Sequence, residues 1–297
     1  MNIAITGANG YIGQNLTRRL ESKGFIVKPV TRMLIYGDQE KLSAFLAGTS
    51  AVINLAGAPI LQRWTKSNKA IIYNSRILTT RKISDAVNDL APGLRPSVFI
   101  SASATGIYTN GKVHDESSSD MNKGFLGNVV QNWENSSSGL GKNTRRVIFR
   151  FGIVFGKESQ IIKKILPVFK AGFGGCLGNG KQALPYIHID DLTEAIFQSI
   201  TDPKFEGIYN LVAPDLITNR TFTKTLAGLI NRPAFFNVPA LVLRLIFGDA
   251  ASLLLSSPVV IPQRLTEQGF QFIHASISSA LKDITGKKPS SGPIENK

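Results

Sequence analysis

Within its first 20 residues the chain passes from an apolar run, Ile3 to Thr6, into Gly7-x-x-Gly10-x-x-Gly13 and on into an amphipathic segment marked by Ile12, Leu16 and Leu20. This is the order strand, glycine turn, helix, and each glycine answers a separate demand. Gly7 permits a tight turn, Gly10 lets the backbone approach a pyrophosphate, and Gly13 lets the helix lie close against the strand. The unpaired N–H groups at the helix start then face the phosphates, where the macrodipole favours negative charge. A glycine triplet alone also fits a plain turn. Set between a strand pattern and a helix pattern, it predicts a dinucleotide site.

The next strand bears on which dinucleotide. Folds that bind NAD usually carry an Asp or Glu about 20 residues after the glycines, where it accepts hydrogen bonds from the adenosine ribose. Here the run from Phe25 to Val30 ends in Thr31-Arg32, and no acid stands between Glu21 and Asp38. A guanidinium pairs with a 2′-phosphate and a carboxylate repels it, so Arg32 predicts NADP(H) over NAD(H). The competing reading makes Arg32 a solvated charge at a strand end.

Apolar runs at 26–30, 51–55, 98–101 and 147–154 read as strands, and the segments 38–46, 67–90 and 124–138 read as helices. Such alternation specifies a parallel sheet with helices on both faces. In the long helix, Ile71, Ile72, Leu78, Ile83 and Val87 mark the expected apolar stripe. After about residue 155 the segments shorten and glycines cluster at 172, 174, 175, 178 and 180. Asp190-Asp191 can cap a helix running to Ile200, and 219–230 reads as another helix. The expected organisation is a nucleotide-binding core over 1–155, a smaller mixed lobe over 156–285 that completes the core and faces the substrate, and a disordered tail over 286–297.

Composition excludes several classes. A chain of 297 residues with 43% hydrophobic and 18% charged residues is globular. A single cysteine, Cys176, rules out an internal disulfide; with no local Cys/His spacing, no metal site is expected and a reducing, cytoplasmic location is. The N-terminus runs straight into a strand pattern without a charged leader. The stretch 238–261 is the most apolar, but Pro239, Arg244, Asp249 and Pro258 interrupt it, so it reads as helices that are buried or face a homodimer partner, not as a membrane span. The net charge of +14 is dispersed, without a long basic run or an aromatic platform, which argues against nucleic-acid binding.

Further motifs carry a family resemblance. Thr6-Gly-x-x-Gly-x-x-Gly13, Asn54-Leu-Ala-Gly57, Ile100-Ser-Ala-Ser103 and Tyr186-Ile-His-Ile-Asp-Asp191 stand in the order seen in extended short-chain dehydrogenases/reductases. Arg63-Trp64, Ser75-Arg76, Trp133-Glu134, Arg150-x-Gly-Ile-Val154, Gly172-x-Gly-Gly175 and Val260-Ile-Pro-Gln-Arg264 narrow it. The chain resembles the atypical "epimerase family protein" branch of the NAD-dependent epimerase/dehydratase superfamily, with that branch's C-terminal domain of unknown function. The resemblance spans Thr6 to about Leu281.

It implies an α/β fold: a doubly wound parallel sheet of the Rossmann type with helices on both faces, a smaller C-terminal α/β substrate lobe, and NADP(H) lying across the core. Gly7, Gly10, Tyr11, Ile12 and Gly13 would hold the pyrophosphate, and Thr31 and Arg32 would meet the 2′-phosphate. Leu55, Ala56 and Gly57 would line the fourth-strand edge near the ribose, Arg76 would reach the cofactor from the long helix, and Ile153 or Val154 would sit near the nicotinamide. Read without the family, Leu55 to Gly57 is equally a buried strand end, and Arg76 a helix-surface charge.

The chemistry departs from the family pattern. Typical members orient the substrate with a Ser or Thr at the end of the fifth strand and use a Tyr four residues before a Lys on the next helix, where the ammonium lowers the tyrosine pKa. Ser103 matches the serine. With Glu134 aligned to the acid that follows the motif, Leu126 and Val130 occupy the Tyr and Lys positions, and neither carries a proton. The one literal match, Tyr108-Thr-Asn-Gly-Lys112, falls in a turn, which leaves Tyr108 only as a lone hydroxyl. His188 reads as a packed strand residue, Trp64 and Trp133 as packing anchors, Glu134 as a partner for an arginine such as Arg150, and Cys176 as a thiol in a loop near the cleft. Two functions follow: an NADP(H)-dependent oxidoreductase or epimerase-like enzyme acting on a small polar substrate, or a non-catalytic NADP(H)-binding redox sensor or scaffold.

Overall fold

The structure is a computed structural model that describes residues 1–287; positions 288–297 of the expected tail lie outside the described residues. Strand β1 (Asn2–Thr6) leads through the glycine turn into α1 (Tyr11–Glu21), and β2 (Ile26–Val30) returns beside β1. Two short helices, α2 (Arg32–Tyr36) and α3 (Gln39–Leu46), precede β3 (Ala51–Asn54), the long α4 (Lys66–Asn88) and β4 (Val98–Ala104). Next come β5 (Val113–His114), α5 (Phe125–Asn135), β6 (Arg145–Phe151), β7 (Ile153–Phe155) and α6 (Gln160–Lys170). They are followed by β8 (Tyr186–His188), α7 (Ile189–Thr201), β9 (Gly207–Leu211) and α8 (Asn219–Ile230). The chain closes with α9 (Ala240–Phe247), α10 (Ser252–Leu255), β10 (Val259–Val260), α11 (Gln263–Glu267) and α12 (Ile277–Thr285).

Six strands form one parallel sheet in the order β2-β1-β3-β4-β6-β9. A parallel sheet covered on both sides must be apolar on both. In β1, Ile3 and Ile5 pack with Leu16 and Leu20 of α1 and Leu192 and Ile196 of α7, while Ala4 faces Leu42 and Leu46 of α3 and Ile83 and Val87 of α4. The doubly wound fold expected from the alternation is therefore present. Strand β9 completes the sheet from the second half of the chain. A second apolar cluster, built on Phe155, Tyr186, Phe222, Leu226, Leu281 and Ile284, joins β7 and β8 to α8 and α12.

Four expectations are corrected. The strand carrying Leu55 at its end is the third of the sheet, and Ser103 lies on the fourth, because α2 and α3 alone connect β2 to β3. The run 147–154 is two strands: β6 ends at Phe151, and β7 pairs with β8 in a separate sheet. Gly152 makes that crossing possible, since a Cβ there would stand 2.8 Å from the Pro185 carbonyl oxygen. The side chain that caps α7 is that of His188, whose Nδ1 accepts the Asp190 N–H at 3.3 Å. Asp191 turns inward instead and accepts the N–H groups of Ile273 at 2.5 Å and His274 at 3.1 Å. On α4, Ile71 and Leu78 are exposed, and the buried stripe runs through Ile72, Thr79, Thr80, Ile83 and Val87. In α9 only Leu243 is buried, and Leu241 and Leu245 are each 68% exposed. Among the described residues, no helix is long and apolar enough to cross a membrane.

One buried ion pair fastens α5 to the sheet. Glu134, near the end of α5, and Arg150 on β6 are 9% and 3% exposed. Arg150 Nε and Nη2 each donate to one Glu134 oxygen at 2.8 Å, the bidentate geometry that suits a guanidinium and a carboxylate. Ser103 on β4 donates to Glu134 Oε1 at 2.5 Å, and Arg150 Nη1 donates to the Tyr108 hydroxyl at 2.7 Å. Tyr108 donates to Asn210 Oδ1 at 2.8 Å, and Asn210 Nδ2 donates to the Ile261 carbonyl at 3.0 Å. Burial by itself would lower the Arg150 pKa, but Glu134 and then Tyr108 outweigh it and hold the guanidinium above its ordinary value. Removing one partner strands a buried charge, which costs about 3–5 kcal/mol. Glu134→Ala is therefore expected to lose about that much stability in denaturant unfolding. A loss below about 1 kcal/mol would show that water or another group solvates Arg150.

Candidate functional site

At the end of β1, Gly7 adopts φ +68°, and a Cβ there would also lie 3.0 Å from the Leu55 carbonyl. Gly13 is tighter still: a Cβ would stand 2.3 Å from the Gly7 oxygen and 2.7 Å from Ala8 Cα. The first turn of α1 thus rests directly on the loop, and Gly10 begins the helix without a side-chain cap. A cavity of about 340 Å³ opens over this turn, bounded by the three glycines, Tyr11, Ile12 and Leu55, and from across the groove by Ile153, Val154 and Ser159. Tyr11 is pushed up to about 12 by burial and then by Asp190 and Glu158, so its hydroxyl keeps its proton. Ser159 Oγ is buried and has no hydrogen-bond partner.

A relay of buried polar groups fixes the neighbouring strand ends. Thr6 Oγ1 donates to Asn54 Oδ1 at 2.6 Å and accepts the N–H groups of Leu55 at 3.1 Å and Ala56 at 3.2 Å. Asn54 Nδ2 and Trp133 Nε1 both donate to Thr80 Oγ1, at 2.7 and 3.0 Å. The buried threonine on α4 is therefore a hydrogen-bonding hub. Thr6 and Asn54 position the site; the sequence reading placed them at the head of their motifs without a role, and the available signal was a polar residue closing each apolar run.

Ile12, Leu55, Ile153 and Val154 also line a second cavity of about 670 Å³, so the glycine groove and this pocket adjoin. Its walls include Trp64, Phe125, Val129, Trp133 and Phe151, and Arg76 is the only charged residue among those lining it. The Arg76 guanidinium lies against the Trp133 ring, 5.2 Å from its centroid, and donates to the Ile72 and Ala58 carbonyls at 3.1 and 3.0 Å. Neither acceptor is a charge, and burial lowers its pKa to about 10. Gly57 lies so close that a Cβ would be 3.3 Å from the guanidinium.

The expected residues thus divide into three places. Gly7, Gly10, Tyr11, Ile12, Gly13, Leu55, Ile153 and Val154 surround the groove. Ala56, Gly57, Arg76, Ser103 and Tyr108 line the pocket. Thr31 and Arg32 line neither; they stand where β2 passes into α2, with Thr31 Oγ1 accepting the Leu34 N–H at 3.3 Å and Arg32 exposed. Ser103 and Tyr108 reach the pocket with their hydroxyl protons given to Glu134 and Asn210. Burial raises the Tyr108 pKa, against the opposing pull of Arg150. Leu126 and Val130 line the same pocket. Lys112 is away from Tyr108's helical turn and pairs with Asp120 at 2.6 Å. Cys176 is buried against Gly180, and His188 is 1% exposed.

Residues 3–211 match the NAD dependent epimerase/dehydratase family, and residues 238–284 match a domain of unknown function, DUF1731. The epimerase family protein SDR39U1 of Homo sapiens is 32% identical over 291 residues, covering 96% of this chain and 99% of its own length. The epimerase family protein YfhF of Bacillus subtilis (strain 168) is 30% identical over 299 residues, covering 96% and 98%. The crystal structure of human epimerase family protein SDR39U1 (isoform 2) with NADPH has a TM-score of 0.90 at 30% identity, covering 97% of this chain and 100% of that one. A nucleoside-diphosphate sugar epimerase from Corynebacterium glutamicum gives 0.77 at 26% identity, covering 96% of this chain and 58% of that one. By the extent of the family match and by these full-length relatives, the chain belongs to the NAD dependent epimerase/dehydratase family.

Proposed function

We propose that this protein binds NADP(H) in the glycine groove and acts as an oxidoreductase or epimerase-like enzyme on a small molecule held in the adjoining pocket. The observation that carries the reading is the adjacency of the two cavities, with Ile12, Leu55, Ile153 and Val154 lining both. A dinucleotide with its pyrophosphate at the glycines extends towards such a neighbouring space. The groove fits the group chemically. Gly7, Gly10 and Gly13 keep the backbone accessible, Ser159 Oγ is a buried hydroxyl with a bond to give, and Arg32 supplies a cation at the strand end where NAD-specific folds carry an acid. The relative crystallised with NADPH supports the same choice. When bound, the nicotinamide supplies hydride exchange at its C4.

The chain's own residues bind and orient. Ser103 presents an oxygen whose proton already points to Glu134, so it offers the substrate an acceptor. Arg76 offers a cation without a counter-charge in a pocket whose walls are mainly apolar and aromatic, with Asn110, Asn122 and Ser256 among its polar residues. That lining favours a substrate with an apolar body and one anionic or carbonyl end over one hydroxylated all round. With Leu126 and Val130 in place of the Tyr and Lys, the carbon would exchange hydride with the nicotinamide and the proton at the reacting oxygen would be exchanged with water. The second reading, a non-catalytic redox sensor or scaffold, is favoured by the same saturation of Ser103 and Tyr108. It requires NADP⁺ and NADPH to bind with different affinities, because a ligand without differential binding shifts no equilibrium.

Two measurements test these readings. Fluorescence titration of Arg32→Asp is expected to reduce the preference for NADPH over NADH about tenfold or more, equivalent to ~1.4 kcal/mol; an unchanged ratio would mean that another group reads the phosphate. Purified protein with NADPH and a panel of aromatic and aliphatic carbonyl acids is expected to show oxidation at 340 nm that Arg76→Leu depresses mainly through KM. Tight cofactor binding with no turnover on any carbonyl would leave the sensor as the surviving reading.

A further inference from the structure

A cluster of titratable side chains lies behind the phosphate groove, and neither the groove nor the pocket uses it. His188 ends β8, Asp190 stands in the first turn of α7, His274 lies in the loop before α12, and Asp283 is on α12. One nitrogen from each histidine and one Asp190 oxygen lie within 4.8 Å of one another. Asp190 Oδ2 is 3.5 Å from His188 Nδ1 and 3.5 Å from His274 Nε2. These separations are long for hydrogen bonds. They are close to the edge of a tetrahedron drawn around an ion with ligands at about 2.0–2.1 Å, which is ~3.3 Å. The two imidazole rings sit with centroids 3.9 Å apart.

The second observation is the tautomer in which His188 is held. His188 is 1% exposed, and its Nε2 is buried with no hydrogen-bond partner. Asp283 Oδ2 is 3.5 Å from that nitrogen, while its other oxygen takes Lys157 Nζ at 3.1 Å. The Nε2 atom faces Asp283 while Nδ1 is the one turned to Asp190 Oδ2, so an Nε2 proton directed at Asp283 leaves the Nδ1 lone pair as the ligand atom.

We infer that His188, Asp190 and His274 form a binding site for a divalent transition-metal ion of the zinc class. His188 would bind through Nδ1, His274 through Nε2 and Asp190 through Oδ2. Asp283, already shared with Lys157, would accept the His188 Nε2 proton on closing the 3.5 Å between them and so fix that ring, the usual role of a carboxylate behind a metal-bound histidine. The Asp190 N–H displaced from His188 Nδ1 is a helix N-terminal group that water can take. The Asp191 carboxylate holds the His274 backbone in position. Asp190 is the exposed member, with 55% of its side chain accessible, so the ion enters from that side and water completes its coordination. The ligands stand too far apart in the chain to be found by a local spacing pattern, which is why none was expected.

The chain has three histidines, which makes the test compact. Full-length protein stripped with chelator and titrated with Co²⁺ alone is expected to take up one ion per chain, with visible d–d absorption that Zn²⁺ abolishes by displacement. His274→Ala and Asp190→Ala are expected to lose that uptake, His114→Gln to keep it, and Asp283→Asn to weaken it about tenfold to a hundredfold. Circular dichroism confirms that each variant is folded, and exposed Asp190 gives a variant whose folding is not at stake. No stoichiometric uptake by the folded chain, or uptake unchanged in folded Asp190→Ala, overturns the site.

Discussion

The bidentate contact between Arg150 and Glu134 is the constraint around which the cleft is arranged. Both charges are out of water, and a buried guanidinium is tolerated only when its donors are matched. Glu134 takes one proton each from Nε and Nη2, and Nη1 gives one to Tyr108. Glu134 Oε1, which already accepts from Nε, has a lone pair to spare, which Ser103 fills. The pair therefore draws β4, α5, β6 and β9 into one network and determines the chemistry its members can still perform. Two hydroxyls that face the pocket have their protons committed to the scaffold. The helix that would carry an acid and base in typical relatives is locked in place and presents Leu126 and Val130 instead.

The groove is governed by a different limit, the closeness of backbone to backbone. Gly13 against Gly7 leaves no room for a methyl group, so the start of α1 and the end of β1 form one rigid corner. Thr6, Asn54, Thr80 and Trp133 then carry that rigidity across to β3, α4 and α5 through side-chain hydrogen bonds. The result is a set of strand ends held without dependence on loops. This is the edge where ligands bind in open α/β sheets.

Much of this was legible in the chain, for identifiable reasons. Sheet strands announce themselves as apolar runs, and the glycine spacing encodes a steric requirement that no other residue meets. The Glu134–Arg150 partnership was legible because a buried acid on a helix needs a cation. Three features were not. The break at Gly152 is invisible to hydropathy, since both sides of it are apolar; only the approach of Pro185 reveals the change of sheet. The stripe of α4 was misread at Ile71 and Leu78 because its buried face contains Thr79 and Thr80, whose burial depends on partners at Asn54 and Trp133. His188 in place of Asp190 or Asp191 as the α7 cap reverses the usual preference. The reason is that Asp191 is required inward, where it holds Ile273 and His274.

The distribution of unsatisfied polar atoms separates scaffold from site. In the Arg150 network, Ser103, Glu134, Tyr108 and Asn210 all have partners, which is what a group retained for packing requires. Elsewhere the matching is incomplete. Arg76 gives its hydrogen bonds to carbonyls alone, Ser159 Oγ has no partner, and His188 Nε2 has none. Thr17 and Ser84 are also unpartnered among the described residues, but they sit within α1 and α4 and line neither the groove nor the pocket. The three others stand at the pocket, at the groove and in the histidine cluster behind it. A fold that completes a five-residue network to within 3.0 Å and leaves these three open has placed its unspent bonding capacity where ligands would enter.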